Sequence, residues 1–321
     1  MIIVAVLRGG VGDEHDVSLK TGLAVLRKLE GTQFKTLDVY IDRAGVWHVR
    51  GVSLPPQRAL SAVDVVFNAL HGAYGEDGGV QRELERLGVP YTGPKPGPAA
   101  LAMNKALSKD MLAAEGVLVP RYVRLGVSHD LERKAIEVWQ TFPQPSIVKP
   151  MNSGSSVGVA LVKTYPELMQ AIKNAFNYSK DVMIEEYIRG AEATVGVIDG
   201  FRGAHTYALP PVEIVLPKTC EIFDYNAKYS GETTERCPGA FTRAQTEALE
   251  EAARTVHKKL GLRHYSRSDF IVTPKGPYFL EANSLPGLTE SSLVPKSLDA
   301  VGASMDEFLA HVISLALEKK K

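Results

Sequence analysis

Cysteine is nearly absent. Only Cys220 and Cys237 occur in 321 residues, too few for a disulfide scaffold, and no CxxC or Cys/His spacing offers zinc a site. Both read as free thiols. The chain also lacks an excess of charge: Lys plus Arg number 37 and Asp plus Glu number 37. No net field draws it toward nucleic acid or anionic lipid, so a charged ligand must be held by local groups. Long apolar runs are missing too. The opening run, residues 1–7, stops at Arg8 with no cleavage-type segment after it, and nothing elsewhere approaches about 18 uninterrupted apolar residues. The expectation is a cytoplasmic protein acting on a small molecule, with neither nucleic acid nor membrane as partner. What is present is ordinary globular usage, 45% apolar and 23% charged, which excludes disordered, collagen-like and coiled-coil chains. The length fits two or three domains.

Residues 2–7 (IIVAVL) form a continuous apolar, β-branched run closed by Gly9-Gly10, which predicts a buried strand leading into a turn. A helix should follow, with Leu19, Leu23 and Leu26 at helical spacing, Val25 and Leu29 widening the stripe, and Asp13 or Asp16 as its cap. Strands are expected over 34–41 and 63–70, the second followed by a helix over 80–87 that stops at Gly88. This alternation predicts a small parallel α/β sheet across residues 1–93. Residues 91–98 (YTGPKPGP) read as a connection between domains. Helical segments over 99–116 then precede strands near 121–125, 146–149, 157–162 and 182–186, with a helix from Pro166, which is an α+β layer. Residues 193–214 are strand-rich and 217–238 turn polar, a length typical of a lid or a disordered segment. A helix over 242–260, a hairpin of 270–272 with 278–280, and a last helix over 305–317 ending in basic Lys319 to Lys321 complete the pattern.

Five segments carry candidate chemistry. RGGVGDEHDVSL (residues 8–19) follows the first strand. It is a poor dinucleotide fingerprint, because His15 holds the third glycine position. Either the turn aims Glu14 into a cleft at the sheet's carboxyl edge, or Glu14 only complements the helix dipole. NALHGAYGED (68–77) leaves another strand, and its glycines admit close backbone approach. His71 there is a donor to carboxylate or phosphate, or a turn histidine. IVKPMNSGSSVG (147–158) ends a strand in Lys149 and continues in a donor-rich loop able to wrap phosphate oxygens, though the spacing is not Walker A. The alternative is a surface loop. SRSDF (266–270) and LEAN (280–283) read as hairpin partners. If Asp269 pairs opposite the second strand, and Glu281 and Asn283 alternate onto one face, three hard oxygen donors converge with Arg267 beside them. That donor count suits magnesium bridging a nucleotide's phosphates; a surface ion pair is the bland alternative. In the lid candidate, 223–238, Lys228 could close over phosphates and Tyr229 could hydrogen-bond in the site.

Together these segments resemble the ATP-grasp superfamily and, within it, the D-alanine–D-alanine ligases. The match runs in order over nearly the whole chain: GGVGDEHDVSL, ALHGAYGEDGGVQ, YTG, MNKALSK, VKPMNSGSSVG, EEYIRGAE, YNAKY, RSDF and LEANSLPGLTESSLVP. The resemblance implies a mixed α/β and α+β chain, an ATP-grasp fold preceded by a small parallel α/β domain. Its parts would be a substrate domain over 1–93, a central ATP-grasp subdomain over 94–184, and a carboxyl-terminal subdomain over 185–321 with the metal site and lid. It implies ATP, two Mg2+ ions with Mn2+ as a substitute, D-alanine as substrate, a homodimer, and a role in peptidoglycan precursor synthesis. Lys105 and Lys149 would reach the nucleotide phosphates, with Ser156 and Lys228 also in the ATP site. Glu185, Glu186, Tyr187 and Ile188 would hold the adenine side, Glu192 the ribose, and Ile147 and Leu280 the adenine faces. Asp269, Glu281 and Asn283 would ligate metal. Glu14 would bind the ammonium of the first D-alanine in a network with Ser155 and Tyr229, Val17 and His71 would line the substrate site, and Ser292 and Leu293 would hold the second carboxylate.

The implied chemistry starts with the first D-alanine carboxylate attacking the γ-phosphorus, which gives an acylphosphate and ADP. The second amine then attacks the acyl carbon, with Arg267 and the Gly287 N–H facing the developing oxyanion. Departures from the family pattern are Arg8, Gly12-Asp13 and Leu285. Rival readings are a D-lactate or D-serine second substrate, another ATP-grasp ligase using L-amino acids, and a regulatory nucleotide-binding protein without turnover. Tyr229 speaks against the ester product, and the set Lys149, Arg267, Asp269, Glu281 and Asn283 speaks against the regulator.

Overall fold

The computed structural model describes residues 1–128, 130–151, 157–217, 220–222 and 233–318. In the amino-terminal sheet, β1 (Ile2–Gly9) pairs in parallel with β2 (Phe34–Ile41) on one side and β5 (Val65–Asn68) on the other. Two short antiparallel strands, β3 (Trp47–Val49) and β4 (Val52–Ser53), extend the β2 edge; at two or three residues they are too short for periodicity to reveal. Val4, Ala5, Val6 and Leu7 are fully buried. Their successive side chains enter cores on opposite faces of the sheet, which is why β1 reads as an unbroken apolar run.

Helix α1 (His15–Leu29) corrects two expectations. Its N-cap is Glu14, with no side-chain cap bond, rather than Asp13 or Asp16. Its buried face is Ser18, Thr21, Gly22, Val25 and Leu29, whereas Leu23 is 41% exposed. Polar residues lie inward because they have partners there: the Ser18 hydroxyl donates to the Ala69 carbonyl at 2.8 Å, and Thr21 meets His71. The short α2 (Pro56–Ala59) follows β4. Helix α3 (Gly79–Leu87) ends at Gly88, whose φ of 66° closes the last turn.

The proline-rich stretch is partly helical. Pro96 stands in the first turn of α4 (Pro96–Met103), where its missing N–H costs nothing. Asn104 then caps α5 (Lys105–Ala114). An antiparallel sheet follows in the order β6 (Tyr122–Gly126), β9 (Asp181–Glu186), β7 (Ser146–Pro150), β8 (Ala160–Val162). Helices α6 (Leu131–Thr141) and α7 (Tyr165–Ala175) pack with it in one core. On β7, Val148 enters that core, while Ile147 and Lys149 face the opposite side.

The last sheet runs β13 (Thr234–Arg236), β12 (Val212–Val215), β10 (Ala191–Asp199), β14 (Tyr265–Thr273), β15 (Gly276–Asn283), with β11 (Thr206–Ala208) also paired to β10. Strand β13 corrects the reading of 217–238 as loop throughout, since it pairs with β12. Helix α8 (Arg243–Lys259) buries Leu249, Ala253 and Val256 against Val195, Val197, Phe270 and Phe279. Helices α9 (Leu293–Ala300) and α10 (Met305–Leu317) close the chain, and their apolar faces join the core behind β1 and β5. Lys319 to Lys321 lie outside the described residues. No single helix among the described residues is long and apolar enough to cross a membrane.

Candidate active site

Residues from the two carboxyl-terminal sheets, from α1 and from the loop after β5 line one cavity of about 920 Å³. It gathers Glu14, Val17 and His71 from the amino-terminal part, and Lys105, Ile147, Lys149, Glu185, Glu186, Tyr187 and Ile188 from the middle. Glu192, Arg267, Asp269, Leu280, Glu281, Asn283, Gly287, Ser292 and Leu293 come from the remainder. Every described residue singled out from the sequence is therefore in one place. Ser155, Ser156, Lys228 and Tyr229 lie outside the described residues.

The β14–β15 hairpin builds one wall. Asp269 stands opposite Glu281 and Arg267 opposite Asn283 in antiparallel register. The Arg267 guanidinium grips Asp269 with two bonds of 3.0 Å, Asn283 donates its amide N–H to the same carboxylate at 3.1 Å, and the Thr194 hydroxyl on β10 donates as well. Burial opposes the Arg267 charge, but Asp269 more than offsets it and the guanidinium is held more firmly protonated than usual. The register shifts beside Asp269: Phe270 pairs with Phe279, so Leu280 is the extra residue of a β-bulge. The bulge lets Leu280 and Glu281, adjacent in sequence, both line the cavity while Phe279 stays in the core. Two carboxylates and one amide oxygen make a hard donor set with places left for phosphate oxygens, which fits magnesium rather than a closed protein cage.

Lysines form the opposite wall. Lys105, only 8% exposed, lies 3.3 Å from Glu281. Lys149 lies 2.5 Å from Glu185, whose other oxygen is 3.2 Å from Lys109. Burial alone would raise the Glu185 carboxyl, yet Lys109 and Lys149 hold it below the usual range. The Glu185 carboxylate is thus occupied by two ammonium groups. Glu186, the next residue along β9, sends its carboxylate the other way, to the backbone N–H and guanidinium of Arg121, as strand alternation requires.

In the amino-terminal part, Glu14 stands at the N-cap of α1 without a side-chain cap bond and lines the cavity. Its carboxylate packs so close to Gly72, at φ 64°, that a β-carbon there would stand 2.5 Å from Oε2. His71 is buried, with Nε2 2.8 Å from the Thr21 hydroxyl. Burial, reinforced by the charge of Arg267 and only partly offset by the Leu285 backbone, pulls His71 down to about 4, so it is neutral near pH 7. Glu76, also on this loop and not singled out above, accepts from Gly72 N–H, the Ser284 hydroxyl and Leu285 N–H at 2.9, 3.2 and 3.0 Å. It ties the loop to the segment that presents Gly287. Ser292 is the N-cap of α9, a helix not expected from the sequence, whose first turn therefore opens on the cavity. The missed residues had one usable signal: Lys109 repeats the buried face of α5 with Ala106 and Leu112, and a charge on a core stripe implies a buried partner.

A family model for the D-ala D-ala ligase C-terminus matches residues 111–314, and one for the D-ala D-ala ligase N-terminus matches residues 48–94. The chain is similar to the D-alanine–D-alanine ligase of Syntrophotalea carbinolica, 36% identical over 319 residues that cover 99% of this chain and 97% of the relative. It is also similar to that of Geobacter sulfurreducens, 37% identical with 99% and 95% covered. Among solved structures, the VanG D-Ala:D-Ser ligase of Enterococcus faecalis superposes with a TM-score of 0.84 at 28% identity, covering 98% of this chain and 99% of that one. The D-alanine–D-alanine ligase of Bacillus anthracis complexed with ATP gives 0.78 at 30% identity, with 99% and 98% covered.

Proposed function

The chain belongs to the D-alanine–D-alanine ligase family, and on that premise we propose that it joins two D-alanine molecules, with ATP as phosphoryl donor, into a peptidoglycan precursor. The observation that carries this reading is the shared cavity, in which Lys149 and the trio Asp269, Glu281 and Asn283 face one space. Lys105 and Lys149 meet the phosphates, and Ile147 and Leu280 cover the adenine. Asp269, Glu281 and Asn283 would hold Mg2+, two ions, with Mn2+ as a substitute, and a cation there would offset phosphate charge. Glu14 takes the ammonium of the first D-alanine and leaves its carboxylate free to attack the γ-phosphorus, expelling ADP. The second amine attacks the acylphosphate carbon. Arg267, already charged and aimed by Asp269, and the Gly287 N–H stabilise the oxyanion before phosphate leaves. The first turn of α9, at Ser292 and Leu293, offers N–H groups and a favourable helix dipole to the second carboxylate. Arrangement as 1–93, 94–184 and 185–321, homodimerisation and a cytoplasmic location complete the proposal.

The test is phosphate release from Mg-ATP with D-alanine alone, or with D-alanine plus D-lactate or D-serine, or with L-alanine, and identification of each product. D-alanyl-D-alanine with D-alanine alone is expected. Turnover only with D-serine or D-lactate present would move the chain to a mixed-product branch, and no phosphate release with any of them would leave a nucleotide-binding protein without ligase activity.

A further inference from the structure

Lys109 is the one lysine on α5 that no role above absorbs, and it is 0% exposed. A buried ammonium without compensation is costly. Here it lies 3.2 Å from Glu185 on β9, donates to the Phe279 carbonyl on β15 at 3.1 Å, and stands 5.5 Å from the centre of the Phe279 ring. It therefore bridges the sheet that carries Lys149 and the strand that carries Leu280 and Glu281. Glu185 is shared by Lys109 and Lys149, so two cations lean on one carboxylate. Lys105 is paired in turn with Glu281 on β15.

We propose that Lys109 is a positioning residue for the nucleotide phosphates: by occupying half of Glu185 it keeps Lys149 from being neutralised there and leaves that lysine's charge for ATP. Without Lys109, Glu185 and Lys149 would form a closed, neutral pair, and the triphosphate would meet one less unit of charge. With the Glu185 carboxylate engaged by the two lysines, the adenosine half is left to Tyr187, Ile188, Ile147 and Leu280, none of which loses a side-chain contact with Lys109. This inference rests on the reading of Lys149 as a phosphate contact.

The experiment is binding of Mg-ATP and of adenosine, the latter by competition, to the full chain and to Lys109→Met, with initial-rate kinetics on both. Methionine fills similar volume and leaves Glu185 and Lys149 balanced, so the variant should fold. Wild-type chain that fails to bind ATP would sink the phosphate-site reading itself. With that reading intact, Lys109→Met should weaken ATP on the order of tenfold, raise KM for ATP with kcat changed less than about threefold, and leave adenosine within about twofold. Equal losses for ATP and adenosine would mean a merely structural lysine, and no loss for either would also overturn the proposal. A cycle with Lys149→Met supplies a second check: once Lys149 is gone, Lys109→Met should add little to the ATP defect, and multiplicative defects would refute action through Lys149. Should Lys109→Met not yield folded protein, Lys109→Gln, which keeps an N–H for Phe279, is measured the same way.

Discussion

Arg267 is held by the carboxylate next to which it works, since both of its bonds to Asp269 are 3.0 Å. Preorganisation of this kind favours a charge that appears only in the transition state. Arg267→Ala should therefore lower kcat on the order of 10² or more while ATP affinity changes little; near-normal turnover would remove it from the oxyanion role. Glu14→Gln should chiefly raise KM for the first amino acid, and collapse of ATP binding with D-alanine binding intact would show the amino-terminal turn to be misassigned. Glu76 is tested through its titration. Burial, with Glu14 nearby, pushes its carboxyl from 4.5 up to about 7, against the pull of its three hydrogen bonds. A raised folded value means that the folded state holds the proton more tightly. Its stability contribution is thus full below the unfolded value and is lost as pH rises through about 7. Glu76→Gln cannot ionise, so the melting difference between variant and wild type should shift in the variant's favour from about pH 5 to about pH 8; a difference that does not depend on pH would exclude this titration.

At the scale of elements, two of the three departures flagged in the sequence, Arg8 and Leu285, acquire physical accounts. Arg8 on β1 forks onto Asp38 of β2 at 2.7 and 2.6 Å, and its stem lies across α1 at Gly22, where a β-carbon would come within 2.5 Å of Arg8 Cβ. Alanine at that position would gain about 1 kcal/mol of helix propensity, but the overlap with a β-carbon fixed by the β1 backbone costs about 1–3 kcal/mol. Gly22→Ala should therefore destabilise the chain in denaturant melts, and should become stabilising in an Arg8→Gly background, which removes the β-carbon it meets. If the sign does not reverse, the clash is not the cause. Leu285 is 1% exposed and fills the space over Gly93, while its N–H goes to Glu76, so an apolar side chain there is a core residue. Ser266, His257 and Asp199 also line up as hydroxyl, imidazole and carboxylate, at 2.7 and 3.1 Å. Ser266 is 1% exposed and off the cavity, so this triad fastens α8 to β14 and β10.

For the whole molecule, ligand binding and stability are linked, because the cavity is lined by residues from the amino-terminal, middle and carboxyl-terminal parts of the chain. Saturating Mg-ATP should raise the melting temperature by about 5 °C, as expected for a ligand at about 100 times its Kd, and EDTA should remove most of that shift if Asp269, Glu281 and Asn283 need a cation between them and the phosphates. An unchanged shift in EDTA would separate ATP binding from the metal.

The sequence by itself determined the strands and helices that carry an apolar run or a period, such as β1, β2, α3 and α10, and the residue types of the site, because apolar runs and spacing and clustered oxygen or ammonium groups are local properties. Only the tertiary structure decided the polar buried face of α1, the bulge at Leu280, the helix start at Ser292, and the sharing of Glu185 by Lys109 and Lys149. The α1 face depends on partners about fifty residues away, and the shared carboxylate on a helix and a strand that no local pattern links to it; a polar side chain is stable in the interior only when such a partner is there to receive it.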